Sequence, residues 1–344
     1  MYFAILGKNS EISIEELKLV QAKEISFPKK GIVIFDTKYG QLLPQLWWCI
    51  KIGTVVKEKD LQEILMDVKI IWIQNEANGK HLKRTVWIRR YKLVDIFHTD
   101  KEIKNKWKEI INLENGLYGV VKWYQNIELY EAIDFGKPGR SMQMGMMPAK
   151  LAHIMINIAL SQRETKDGLL HIYDPFVWSW TTWMLANYLG YDFIGSDIKT
   201  NYAEQNATRW KTTKFYEQKN TFEIFTHDIT QSLKPSLLKR ETKGNLLIVT
   251  EWRLWPIVTK STSSQDIQKF QEQVLQLYKS FLDRIKELWW AIAVFTIPYY
   301  AGQNNFLEKN ISDYTTKIGL DIQDISEIYG REWQQVGRKI LIVK

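Results

Sequence analysis

Cysteine is almost absent: Cys49 is the one thiol in 344 residues, and there are five histidines. A single thiol excludes an internal disulfide and fits a reducing cytoplasm, the compartment expected here. The histidines and Cys49 form no metal-ligand spacing, so no metal site is expected. No Gly-x-x-x-x-Gly-Lys-Ser/Thr segment occurs, which removes the P-loop that cradles a nucleoside triphosphate. Long apolar runs are missing too. The longest, Leu288–Ala301, is too short to span a bilayer and contains a proline, so it reads as a buried strand. Tyr2–Gly7 is a short apolar run followed by polar residues, more like a first strand than a signal peptide.

Glycine is also scarce, and its deficit has a counterpart. The chain has 18 glycines, about 5% against a usual ~7%, and 15 tryptophans, a large excess. Trp47-Trp48 and Trp289-Trp290 are adjacent pairs just before strand-like runs. Trp178 and Trp180 flank Ser179 between an apolar strand and a helix, and Trp252 and Trp255 bracket Arg253-Leu254 before Pro256. Such places call for turn residues with freedom at positive φ, which tryptophan lacks and glycine has. Some bacterial lineages read UGA as glycine and others as tryptophan, so translation with the wrong table gives this pattern. Reading positions 47, 48, 178, 180, 252, 255, 289, 290 and 333 as glycine raises the count from 18 to 27, about 8% and close to the usual share. Trp72, Trp87, Trp107, Trp123 and Trp183 are left open, and Trp210, at a helix end, stays tryptophan.

What is present is otherwise ordinary. Hydrophobic residues make up 45% and charged residues 25%, the balance of a soluble globular protein with room for two domains. Forty-seven Lys and Arg against 39 Asp and Glu give a net charge of +8, which suits a polyanionic partner. Lys80, Lys83, Arg84, Arg89, Arg90 and Lys92 concentrate part of it.

From Gly168 onward, strands and helices alternate. Strands are predicted at Leu169–Tyr173, Tyr191–Ser196, Phe222–Thr226, Asn245–Thr250 and Ala291–Ile297, with helices over Thr182–Leu189, Thr200–Trp210 and Ser264–Glu287. A closing hairpin is predicted at Ile325–Tyr329 and Lys339–Val343. This alternation predicts an α/β, doubly wound, Rossmann-like sheet. The N-terminal part mixes predicted strands (Tyr2–Leu6, Ile32–Phe35, Ile50–Val56) with helices (Ile14–Gln21, Leu61–Val68, Lys101–Ile111), as one α+β module or two small ones. Gly136, Pro138 and Gly139 break the pattern, and the boundary is placed between regions 1–132 and 133–344.

Asp174-Pro-Phe-Val-Trp-Ser-Trp-Thr181 follows the first strand of the second region. A glycine-rich turn there lets the backbone approach a ligand and aims helix N–H groups at it. Asp197, 23 residues on at the end of the next strand, stands where a carboxylate accepts from ribose hydroxyls, with Ile198 beside it. Asp228 ends the third strand, where it can accept from an adenine amino group, and Glu251 ends the fourth. The methionines 142, 144, 146, 147 and 155 read as loop and core packing.

Asp134-Phe-Gly-Lys-Pro-Gly-Arg-Ser-Met-Gln-Met-Gly-Met-Met-Pro-Ala-Lys-Leu-Ala-His-Ile-Met-Ile-Asn-Ile-Ala159 resembles the segment entering the catalytic domain of the tRNA guanine-10 N2-methyltransferase family. The loop 174–181 resembles that family's cofactor loop once residues 178 and 180 are glycine. Tyr2-Phe-Ala-Ile-Leu-Gly7, Leu46-Trp-Trp-Cys-Ile-Lys-Ile52 and Arg331-Glu-Trp-Gln-Gln-Val-Gly-Arg-Lys-Ile340 are similar to it as well, so the resemblance runs nearly end to end. It implies a class I methyltransferase domain, a THUMP-like RNA-binding N-terminal half, and methylation of a base amine, guanine N2 in tRNA. S-adenosylmethionine is the implied cofactor, held by Asp174, Pro175, Phe176, Trp178, Ser179, Trp180, Thr181, Asp197, Ile198 and Asp228, and Glu251 is the implied catalytic carboxylate. The family carries an Asp-Pro-Pro-Tyr type motif on the fourth strand, whereas this chain has Thr250-Glu-Trp-Arg-Leu-Trp-Pro256. That departure leaves open a DNA or ribosomal RNA target, or an inactive RNA-binding homologue.

Overall fold

The computed structural model describes residues 1–7, 9–46, 49–60, 70–74, 84–88, 93–95, 108–139, 146–163, 170–232, 245–252, 258–259, 261–288, 290–300, 306–330 and 334–344. The expected helix Leu61–Val68, Trp47, Trp48, Trp107, Trp255, Trp289, Trp333 and the basic residues Lys80, Lys83, Arg89, Arg90 and Lys92 lie outside them. The chain divides into two compact units, Met1–Asn126 and Ile127–Lys344. The second therefore begins with the helix Ile127–Phe135, ahead of the expected 132/133 boundary. Leu129, Tyr130 and Ile133 of that helix are buried, and it packs on the helix Ala149–Ser161. Among the described residues no helix is long and apolar enough to cross a membrane.

The first unit is built on one nine-stranded sheet. Its strands are β1 (Tyr2–Ile5), β2 (Lys23–Lys29), β3 (Ile32–Asp36), β4 (Lys51–Lys57), β5 (Ile70–Gln74), β6 (Arg84–Ile88), β7 (Leu93–Asp95), β8 (Lys108–Glu114) and β9 (Leu117–Tyr124). They run in the order β2-β3-β1-β4-β9-β8-β5-β6-β7. The expected helix Lys101–Ile111 is overturned over its last four residues. Those lie in β8, which pairs antiparallel with β9 and parallel with β5. Ile111 and Leu113 share a core with Phe3, Ile5 and Ile34, and the ladders on both sides make the segment a strand. The helix expected at Ile14–Gln21 is Ser10–Leu17, followed by a single 3-10 turn.

The second unit carries the predicted alternation. Its sheet comprises β10 (His171–Asp174), β11 (Asp192–Asp197), β12 (Phe222–Thr226), β13 (Leu246–Glu251), β14 (Ile292–Tyr300), β15 (Ile322–Tyr329) and β16 (Val336–Val343), in the order β12-β11-β10-β13-β14-β16-β15. β10 to β14 are parallel, and β16 runs antiparallel between β14 and β15. This is a Rossmann-like α/β sheet whose strand order reverses between β10 and β13, the place where such sheets open a crevice at their carboxyl ends.

Two helices show how the sequence covers this sheet. Ser264–Glu287 begins at Ser263, whose side chain accepts from the Asp266 N–H, and it turns Ile267, Val274, Tyr278 and Phe281 into the core. Ala149–Ser161 is apolar nearly all round and accordingly buried on almost every side, against β13, β14 and the helix Thr181–Leu189. His153 within it has no exposed surface, and burial pushes its imidazole down to about 3, so it is neutral.

Candidate active site

One cavity of about 260 Å³ opens over the carboxyl ends of β10, β11, β12 and β13. All eleven residues expected at the site line it: Asp174, Pro175, Phe176, Trp178, Ser179, Trp180, Thr181, Asp197, Ile198, Asp228 and Glu251. Parallel pairing places them, because the register sets Asp174 opposite Gly195 and Tyr173 opposite Ile248. Neighbouring strands therefore deliver their carboxylates to one edge.

The carboxylates do different work. Asp174 is buried, and its Oδ1 accepts from the Phe176 N–H at 3.0 Å and from the Thr250 hydroxyl at 2.6 Å. It braces the loop more than it faces open space. Burial raises its carboxyl to about 6, against the lowering by the Thr182 and Thr250 hydroxyls and the Phe176 N–H. Asp197 ties β11 to the same loop: Oδ2 accepts from the Trp178 N–H at 3.1 Å and Oδ1 from the Lys199 N–H at 3.0 Å. Burial raises its carboxyl too, opposed by those N–H groups. Ile198 beside it is 62% exposed, an apolar side chain left uncovered at the cavity wall. Asp228 Oδ1 accepts from the Thr230 N–H at 2.9 Å and its hydroxyl at 2.8 Å, a local turn.

Glu251 is held most firmly. Arg338, reaching across from β16, grips both carboxylate oxygens. Its Nε binds Oε1 and an Nη donates to Oε2 at 3.3 Å. The Thr296 hydroxyl on β14 donates to Oε1 at 3.2 Å. An ionised carboxylate offers about four acceptor positions, so Oε2 keeps capacity for a donor from the cavity.

The two loop tryptophans have contrasting settings. Trp180 has φ +61° and ψ +19°, in the left-handed region. Among the described residues it is the one aromatic with positive φ, beside Gln21, Glu24, Glu114 and Asn115. Its ring is buried edge-on against Trp183 and near Phe222, and its indole N–H has no hydrogen-bond partner among the described residues. Trp178 is half-buried and, like Trp180, lines the cavity. Trp210, by comparison, donates from Nε1 to Asn187 Oδ1 at 2.8 Å and stacks on Phe215, as a native aromatic does. Trp252 sets its ring edge-on to Phe176 at 4.1 Å.

Three residues that the sequence did not single out complete the arrangement. Asn206 is fully buried. Its amide donates to the carbonyls of Gly139 (3.0 Å) and Ser179 (3.3 Å), and it accepts from the Gly139 N–H (2.8 Å). Lys137 is buried behind the loop with its Nζ 2.6 Å from the Thr181 hydroxyl. Arg338 is the third. All three depend on tertiary contacts, with partners 27 to 87 residues away.

No family model and no curated protein matches the chain. The solved structures similar to it include these three. A predicted N6-adenine-specific DNA methylase from Listeria monocytogenes has a TM-score of 0.39 at 11% identity, covering 98% of this chain and 95% of that one. A possible methylase from Clostridium difficile has a TM-score of 0.43 at 12% identity, covering 98% and 97%. A human methyltransferase 10 domain containing protein has a TM-score of 0.43 at 11% identity, covering 62% and 90%.

Proposed function

We propose that the second unit binds S-adenosylmethionine in this cavity and methylates an exocyclic amine of a nucleic-acid base, guanine N2 in tRNA, with the basic first unit gripping the RNA. The observation that carries the reading is the meeting of Asp174, Asp197, Asp228 and Glu251 with the loop 174–181 at the strand-order reversal. Asp197 suits the ribose hydroxyls, Asp228 an adenine amine, and exposed Ile198 an aromatic face. The cofactor, held by these residues, would supply an electrophilic methyl group to the amine.

The chain's own task is alignment. A base amine conjugated with its ring is a weak nucleophile, so an acceptor that orients its N–H groups is worth more than a strong base. Glu251, fixed by Arg338 and Thr296, can offer Oε2 for this without moving. The two tryptophans oppose the fit: Trp178 projects at the cavity, and Trp180 occupies a conformation that costs about 1–2 kcal/mol for an L side chain. The reading therefore includes glycine at 178 and 180 in the natural chain. Codons at these positions reading UGG, or indole at both in a digest of the native protein, would remove that part.

The functional test is calorimetry with S-adenosylmethionine on the full chain carrying Trp178→Gly and Trp180→Gly, followed by transfer of tritiated methyl. Expected are cofactor binding and label entering tRNA. Label entering duplex DNA or ribosomal RNA instead redirects the substrate. RNA binding without cofactor binding leaves an inactive homologue.

A further inference from the structure

Lys137 belongs to none of the roles above, yet it is 3% exposed and sits one hydroxyl away from the cavity. Thr181, which takes its hydrogen bond, lines the cavity, and so does Ser179, whose hydroxyl is 3.1 Å from that of Thr181. An ammonium has three donors, and the Thr181 hydroxyl accounts for one. Asp134 acts on it at longer range while its own Oδ1 accepts from the Ala149 N–H at 2.8 Å. A buried cation facing a neutral hydroxyl is poorly compensated.

Burial pushes the Lys137 ammonium down to about 8, partly offset by Asp134. An anion arriving beside Thr181 would restore the balance. The chain also holds Lys137 in place for this: Asn206 clips the backbone of Gly139, two residues on, to the carbonyl of Ser179. Asp197 stands at the other side of the same loop, bonded to the Trp178 N–H. The loop thus meets an anionic acceptor at Trp178 and a buried cation at Thr181. A zwitterionic ligand with a hydroxyl-rich sugar on one side and a carboxylate on the other matches that polarity.

We infer that Lys137 recognises the carboxylate of the cofactor's amino-acid end, through and beside the Thr181 hydroxyl. This rests on the cofactor reading proposed above. The experiment compares S-adenosylmethionine with its decarboxylated analogue by calorimetry, using the full chain with glycine at 178 and 180. The wild-type lysine should prefer the carboxylate-bearing ligand at least ~10-fold, the size of a charge-assisted hydrogen bond. Lys137→Gln keeps a donor for Thr181 and should abolish the preference, with the affinity for the decarboxylated ligand unchanged. Lys137→Arg keeps the charge and should retain the preference.

Equal weakening of both ligands by Lys137→Gln means that the lysine only braces the loop, and overturns the inference. So does full preference in Lys137→Gln, or loss of preference in Lys137→Arg. Should Lys137→Gln not fold, as judged by thermal unfolding, lack of preference in the wild type is decisive against it. If neither ligand binds, the cofactor reading itself falls and takes this inference with it. Binding of both without discrimination overturns the lysine's role alone.

Discussion

At position 180 a side chain and a backbone disagree. The indole is buried, which ordinarily stabilises, but φ is +61° and the N–H has no partner among the described residues. Comparing Trp180→Gly with Trp180→Ala isolates the backbone, since both remove the same ring. Glycine should be the more stable by about 1–2 kcal/mol in urea unfolding, the reverse of their order inside a helix. Equal stability would mean that the backbone there is not left-handed. Asp174 supplies a second residue-scale prediction. Its carboxyl is raised from 3.8 to about 6, so folding favours the protonated form. Below the unfolded value the group carries no penalty. As pH rises through about 4 to 6, the unfolded chain releases its proton first and stability falls, by about 3 kcal/mol in all. Asp174→Asn should remove that part of the slope from the pH dependence of Tm, and an unchanged slope would mean the carboxyl is not raised. Asp174, Asp197, Asp228 and Glu251 were legible in the sequence because each ends an apolar strand. Lys137 and Arg338 were not, because each acquires its meaning from a partner 44 or 87 residues away.

Between elements, the contact that matters most is the one joining β13 to β16. Arg338→Leu leaves Glu251 buried without its cation, which costs about 3–5 kcal/mol. Replacing both residues by leucine should cost clearly less in the same denaturation experiment, because no lone charge remains. If the single and double variants are equally unstable, the pair does not compensate as described. The sequence pattern located β10 to β14 and the helix Ser264–Glu287 because strand and helix periods were each sustained. It errs at β8, whose first four residues continue the lysine-rich helical pattern of 101–107 in the sequence, whereas pairing with β5 and β9 makes them strand. The helix Phe306–Ile318 was not anticipated, and only Leu307, Ile311 and Thr315 of it are buried, too thin a stripe to stand out.

At the scale of the molecule, all strand pairing among the described residues closes within one unit or the other. Residues 127–344 should therefore fold when produced alone and unfold in one cooperative transition, followed by circular dichroism in denaturant. A fragment with helical signal but no cooperative transition would show that this unit lacks a self-sufficient core. Chain order adds a consequence in time. Arg338 follows Glu251 by 87 residues, which at a ribosome's pace of 5–20 residues per second is roughly 4–17 s of synthesis. Throughout that interval the nascent β13 lacks the arginine that grips Glu251 in the finished fold. The setting of Glu251 is thus completed last, by the hairpin of β15 and β16, after the loop 174–181, Asp197 and Asp228 have all been made.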